Sequence, residues 1–145
     1  LTVKSILVRS RIQEEINSEK ANIILMKALE EQLALEIEKP DQPIPFRTAG
    51  VILKMLGRED EARGEFHKAI AVDEFRLAHA HRDEERFAAL KSMGETYFDL
   101  GDYGSAVGRF EEAYGTTLDR RNRLHIQTWL GRANQAALLE EQRTR

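Results

Sequence analysis

The chain has 145 residues, 41% hydrophobic and 32% charged, with a formal net charge of −3. That length suits one domain or a slice of a longer array, and the charge gives no electrostatic case for binding nucleic acid or an anionic membrane. Cysteine is absent, which excludes disulfides and thiol catalysis, and no apolar run approaches the length that spans a bilayer.

The first predicted unit covers residues 2–39. Val8 and Ile12 fall on its first helix, Asn17 or Ser18 caps a second, and Ala21, Leu25 and Ala28 give that second helix an apolar stripe. All three prolines, Pro40, Pro43 and Pro45, follow in one short link. Pro45 suits the first turn of the next helix, where its missing N–H costs nothing.

The second unit, 43–81, places Phe46, Gly50 and Leu53 on one helix and Ala62, Phe66 and Ala69 on the next, with Leu56-Gly57-Arg58 as the turn. From Asp73 to Arg86 there is no Gly or Pro, so this second helix is expected to overrun to about His79. The following helix then starts near Asp83, whose acidic neighbours Glu84 and Glu85 suit a helix N-terminus. The overhang would raise a ridge on one edge, either as an extra contact surface or as plain helix extension.

The third unit, 83–118, repeats the second. Gly94, Tyr97, Gly101, Ala106, Phe110 and Ala113 fall at the same offsets as Gly50, Leu53, Gly57, Ala62, Phe66 and Ala69. Gly101 suits the left-handed position past a helix end, and Asp102 can accept the orphan N–H groups of the helix that follows. So short a link makes the two helices antiparallel. Gly94 and Ala106 would let their backbones approach closely. A terminal helix over 119–142 carries the stripe Ile126, Leu130, Ala133, Ala137, and its Leu130-Gly131 echoes Met93-Gly94 as the start of a fourth copy. Trp129 beside that stripe serves core or capping packing, or anchors a partner where its ring is open to solvent.

Leu90, Met93, Gly94, Tyr97, Ala106, Phe110 and Ala113 resemble the signature of the tetratricopeptide repeat (TPR), and Phe46, Gly50, Ala62, Phe66 and Ala69 match it well. The chain departs from the family in two ways. Glu74 and Leu118 stand where a proline usually closes the second helix, and Gly50 and Gly94 are 44 residues apart against about 34 in the family. Such long periods are similar to the subset in kinesin light chains, cell-polarity adaptors and some bacterial regulators. The resemblance implies an all-α, TPR-like superhelical stack of antiparallel hairpins, about three repeats plus a terminal helix, forming a single domain over 1–145.

In this family the first helices of successive units line the concave face. The resemblance therefore implies a groove of Arg47, Val51, Lys54 and Met55, then Lys91, Glu95, Phe98 and Asp99, then Thr128, Arg132 and Gln135. Phe98 either faces that groove or packs on the neighbouring unit. Lys91 and Glu95, four apart, are expected to pair. Chaperone-binding members hold a C-terminal carboxylate with a Lys and several Asn. Here Thr48, Val51 and Ser92 occupy such places, which disfavours that partner.

No residue cluster points to chemistry. His79 and His81 are two apart and diverge on a helix, unlike an i,i+4 metal pair. The acidic runs Glu59-Asp60-Glu61, Asp83-Glu84-Glu85 and Glu111-Glu112 suit solvated helix faces. Gly101 to Gly108 follows a helix and lacks the P-loop Lys. The expectation is a non-catalytic protein-interaction module, an adaptor or scaffold that binds a peptide or helix, with no metal or cofactor. The alternatives are a regulatory or sensor domain controlling an attached effector, and self-association through the terminal helix. A cytoplasmic location is expected. The chain begins at Leu1, which suggests an excised fragment. Reversing the charge of Arg47 or Lys91 is expected to leave the fold intact and weaken partner capture.

Overall fold

A computed structural model describes residues 2–144. Among them are six α-helices and no strand: α1 (Val3–Glu38), α2 (Pro43–Met55), α3 (Glu59–Ala78), α4 (Asp83–Leu100), α5 (Tyr103–Gly115) and α6 (Arg120–Arg143). Each helix packs on the next in the chain, and α2 also touches α4. The protein is all-α.

Residues 2–39 differ from the expectation. No break occurs at Asn17-Ser18; α1 is one helix of 36 residues, capped by the Thr2 side chain on the Ser5 N–H. The physical reason is the absence of any Gly or Pro between Thr2 and Pro40, so nothing stops propagation. Asn17 does not cap a helix, because its side-chain carbonyl accepts from Gln13 Nε2 at 3.0 Å along the same helix. The first unit is therefore a single helix that lays only its last third on α2.

The two central turns are built alike. In the first, the Arg58 N–H donates to the Leu53 carbonyl at 2.9 Å and the Gly57 N–H to Lys54 at 3.0 Å. In the second, Asp102 donates to Tyr97 and Gly101 to Phe98, each at 3.0 Å. These are paired 6→1 and 5→2 helix-ending bonds. They need a left-handed residue, and Gly57 and Gly101 have φ of 78° and 88°. The Asp102 side chain then accepts the Ser105 N–H at 3.2 Å and starts α5. The overhanging α3 ends at Ala78, and α4 begins at Asp83 with three acidic residues in its first turn.

Two apolar cores result. Leu29, Ala49, Ile52, Leu53, Ala62 and Phe66 join α1, α2 and α3. Phe87, Leu90, Met93, Ala106, Phe110, Ala113, Ile126 and Ala133 join α4, α5 and α6. Leu100 at the end of α4 packs against the first cluster and ties the two together. Asp73 of α3 is fully buried and paired with Arg76 Nη1 at 3.0 Å. Burial pushes its carboxyl above the usual range, opposed by the Ser92 hydroxyl of α4 and by Arg76.

Candidate functional site

The helices α2, α4 and α6 share one polar face, joined by contacts between side chains the sequence assigns to a groove. Arg47 on α2 donates from Nη1 to Glu95 Oε2 on α4 at 2.7 Å, and the two side chains are only 24% and 17% exposed. Lys91 approaches the other oxygen of Glu95 at 3.7 Å. One turn further along, Lys54 Nζ donates to the Asp99 carbonyl at 3.0 Å. Burial raises the Asp99 carboxyl above its ordinary range. Arg47 opposes that shift, Glu95 adds to it, and Lys54 and Arg132 oppose it in turn. The influence of all four groups places Arg47, Lys54, Glu95, Asp99 and Arg132 in one electrostatic neighbourhood.

Phe98 is half-buried against α6 and the start of α5. Its ring meets Trp129 edge-on at 5.5 Å and Tyr103 at 5.3 Å. The Arg132 guanidinium caps this group, 4.6 Å from the Trp129 ring and 5.7 Å from Phe98. Cations over aromatic faces gain about 0.5–1 kcal/mol at exposed sites. Phe98 thus packs on the neighbouring helices, and Arg132 presents its charge above it.

The remaining assigned residues are peripheral to this cluster. Val51 and Met55 are exposed on α2. Thr128 is exposed and turns its hydroxyl to the Leu124 carbonyl of its own helix at 3.1 Å. Gln135 is exposed on α6. Arg47 is the partner of a largely buried carboxylate, so reversing its charge would set two carboxylates together and is expected to destabilise the fold. Lys54 is exposed and Lys91 lies 3.7 Å from Glu95, so both can be reversed at lower cost.

Counted by charge, this face carries Arg47, Lys54, Lys91 and Arg132 against Glu95 and Asp99. It has a surplus of positive charge on a chain whose total is −3. What the face can do chemically is hold an anionic group. Among the described residues no cluster of three or more His, Asp or Glu could hold a metal ion. No helix among them is long and apolar enough to cross a membrane.

A cleft lies elsewhere, and the residue pattern pointed only to its edge. About 860 Å³ of cleft is walled by the α1–α2 link at Pro40, by Val72 and Phe75 on the α3 overhang, and by Glu84 and Glu85 at the start of α4. Phe75 is 65% exposed and stacks on His79 with centroids 4.1 Å apart. His79 Nδ1 lies 2.8 Å from the Phe75 carbonyl. The signal in the sequence was the absence of Gly and Pro after Asp73, which makes the overhang and hence the wall.

A second feature left no local trace. Glu36 of α1 and Glu65 of α3 are 9% and 8% exposed, and Oε1 of the first and Oε2 of the second are both buried. Burial, then a hydrogen bond to Glu65, then the charge of Glu65 raise Glu36 to about 8, with Lys68 opposing. Glu36 therefore holds its proton at neutral pH and can donate it to Glu65, which also receives Lys68 Nζ at 3.2 Å.

In comparison with known proteins, no family model matches this chain and no curated protein is significantly similar to it.

Proposed function

We propose that the chain is a non-catalytic, TPR-like interaction module that holds an acidic segment of a partner protein against α2, α4 and α6. The observation that carries this reading is the positive surplus on that face. Arg47, Lys54, Lys91 and Arg132 come from three alternate helices; Glu95 holds Arg47 and Lys91, the Asp99 carbonyl holds Lys54, and the aromatic pair Phe98–Trp129 holds Arg132. A preorganised array of cations loses little side-chain freedom on binding, which favours affinity. The matched turns and the matched Gly50–Phe66 and Gly94–Phe110 contacts support a repeat architecture. Such stacks present extended surfaces for peptides.

The test is binding of fluorescein-labelled acidic and basic peptides of equal length, followed by anisotropy at two salt concentrations. The acidic peptide should bind, more weakly at high salt. The double variant Lys54→Glu, Lys91→Glu should lose at least tenfold in affinity while its circular dichroism and melting stay close to those of the parent. Equal binding of both peptides, or an unchanged double variant, would remove the assignment.

A further inference from the structure

Residues 3–24 of α1 are all exposed, so the first three-fifths of this helix carries no buried side chain. A lone helical extension of that length is marginal in water, because nucleation is costly and propagation barely favourable. Its side chains are also not those of a solvated helix. From Ile12 to Ile37 the residues Ile12, Ile16, Glu19, Ile23, Met26, Glu30, Leu33 and Ile37 follow an unbroken alternation of four and three. This stripe lies well around the helix from Leu25, Ala28 and Leu29, which pack on α2 and α3. Its six apolar members are 40–86% exposed. Apolar residues repeating every 3.5 positions over nearly four heptads are the pattern of a coiled-coil seam.

From this we propose that α1 is a dimerisation helix, which pairs in parallel and in register with α1 of a second copy of the chain. Three features select that occupant. In heptad terms Ile16, Ile23 and Ile37 hold a positions, while Met26 and Leu33 hold d positions with Ile12. Apart from Ile12, the apolar seam residues are β-branched at a and unbranched or γ-branched at d, the combination that favours two parallel strands. The flanking charges are complementary in the same arrangement. Glu15 at g faces Lys20 at e of the second copy, and the seam residue Glu19 lies beside that same Lys20. The antiparallel register that aligns all eight seam positions would instead set Lys20 against Lys27. The size also fits. The seam extends about 39 Å at 1.5 Å per residue, and pairing it with itself buries on the order of 1,200 Å², the lower bound for a stable interface. Because the seam and the stack-facing stripe lie on different sides of α1, the two stacks project outward and leave the α2, α4, α6 face open.

Glu19 and Glu30 interrupt the apolar seam. Each meets its own copy across the pair, which weakens the dimer and fixes its register. The interface is therefore improvable, and that separates a seam from a surface that is merely apolar.

The experiment is sedimentation equilibrium of the full chain up to 100 µM, with three variants. The parent should dimerise. Ile23→Glu should be monomeric at the same concentration, with the melting of the stack, followed by Trp129 fluorescence, unchanged. Glu19→Leu should tighten the dimer at least tenfold. Since the chain has no cysteine, Glu19→Cys should form a disulfide-linked dimer on mild oxidation. A monomeric parent, or a dimer indifferent to Ile23→Glu because it assembles through α6 or the cationic face, would overturn the proposal. Failure of Glu19→Cys to cross-link would overturn the parallel register.

Discussion

Phe110 lies so close to Gly94 that a β-carbon on Gly94 would stand 2.5 Å from its Cε1, and Phe66 stands in the same relation to Gly50 at 2.6 Å. Rings that are 0% and 2% exposed cannot retreat from a methyl group without opening their core. Gly94→Ala and Gly50→Ala should each cost about 1–3 kcal/mol through overpacking. Gly131, at the position that echoes them in α6, faces open space, as does Gly64 in α3. Gly131→Ala and Gly64→Ala should each stabilise by about 0.5–1 kcal/mol, the ordinary helix preference for alanine. Urea denaturation of the four variants checks this, and equal effects at Gly94 and Gly131 would contradict it.

The same contrast shows what could be read from the residues alone. Gly50 and Gly94 stand at matching offsets because each is squeezed by a phenylalanine sixteen positions on, so a packing constraint became a visible spacing. Turns were legible for a similar reason: Gly57 and Gly101 are forced by backbone geometry, and Asp102 by orphan N–H groups. In α1 no such constraint acts. Asn17 and Ser18 are permitted at a cap but do not compel one, and without Gly or Pro the helix continued. The pairing of Arg47 with Glu95, 48 residues apart, and of Glu36 with Glu65 depends on how hairpins stack, for which the local pattern holds no signal.

Arg47 and Glu95 should be energetically coupled. Their 2.7 Å contact is shielded on both sides, and Lys91 at 3.7 Å can only partly replace the lost guanidinium. A double-mutant cycle of Arg47→Ala and Glu95→Ala should give a coupling of about 1 kcal/mol, above that of the exposed i,i+3 pairs such as Arg58–Glu61. Arg47→Glu should destabilise more than Arg47→Ala, since it adds a carboxylate beside Glu95. A coupling near zero would mean that solvent already screens the pair.

Phe98→Ala should loosen the docking of α6. The substitution removes the edge contacts to Trp129 and Tyr103 and one of the two rings beneath Arg132. For a half-buried ring the cost should be about 2 kcal/mol, below the 3–5 of a fully buried phenylalanine. Trp129 is the single tryptophan, so its emission should shift to the red in the variant as its ring gains solvent. The Leu29–Phe66 cluster, which joins α1, α2 and α3, should keep its protection from hydrogen exchange. An unshifted emission would place Phe98 outside the packing of Trp129.

Glu36 should make the stack less stable as pH rises. Its carboxyl titrates near the ordinary 4.5 in the unfolded chain and near 8 in the folded one. Between these values the folded state keeps a proton that the unfolded state has released, so stability falls with increasing pH. Below about pH 4.5 both states are protonated and nothing is lost; above about pH 8 both are ionised and the loss is complete. The slope for one proton is at most about 1.4 kcal/mol per pH unit, and the coupling to Glu65 and Lys68 reduces it. Glu36→Gln keeps a donor for Glu65 and removes the ionisation. That variant should match the parent near pH 4.5, exceed it in urea midpoint at pH 8, and show a flatter profile in between. Asp73 and Asp99, also raised by burial, contribute slopes of the same sign to both proteins and cancel in the comparison. If the two profiles ran parallel from pH 5 to 8, the carboxyl of Glu36 would be ionised in the folded chain, and the seat of α1 on α3 would have to tolerate that buried charge.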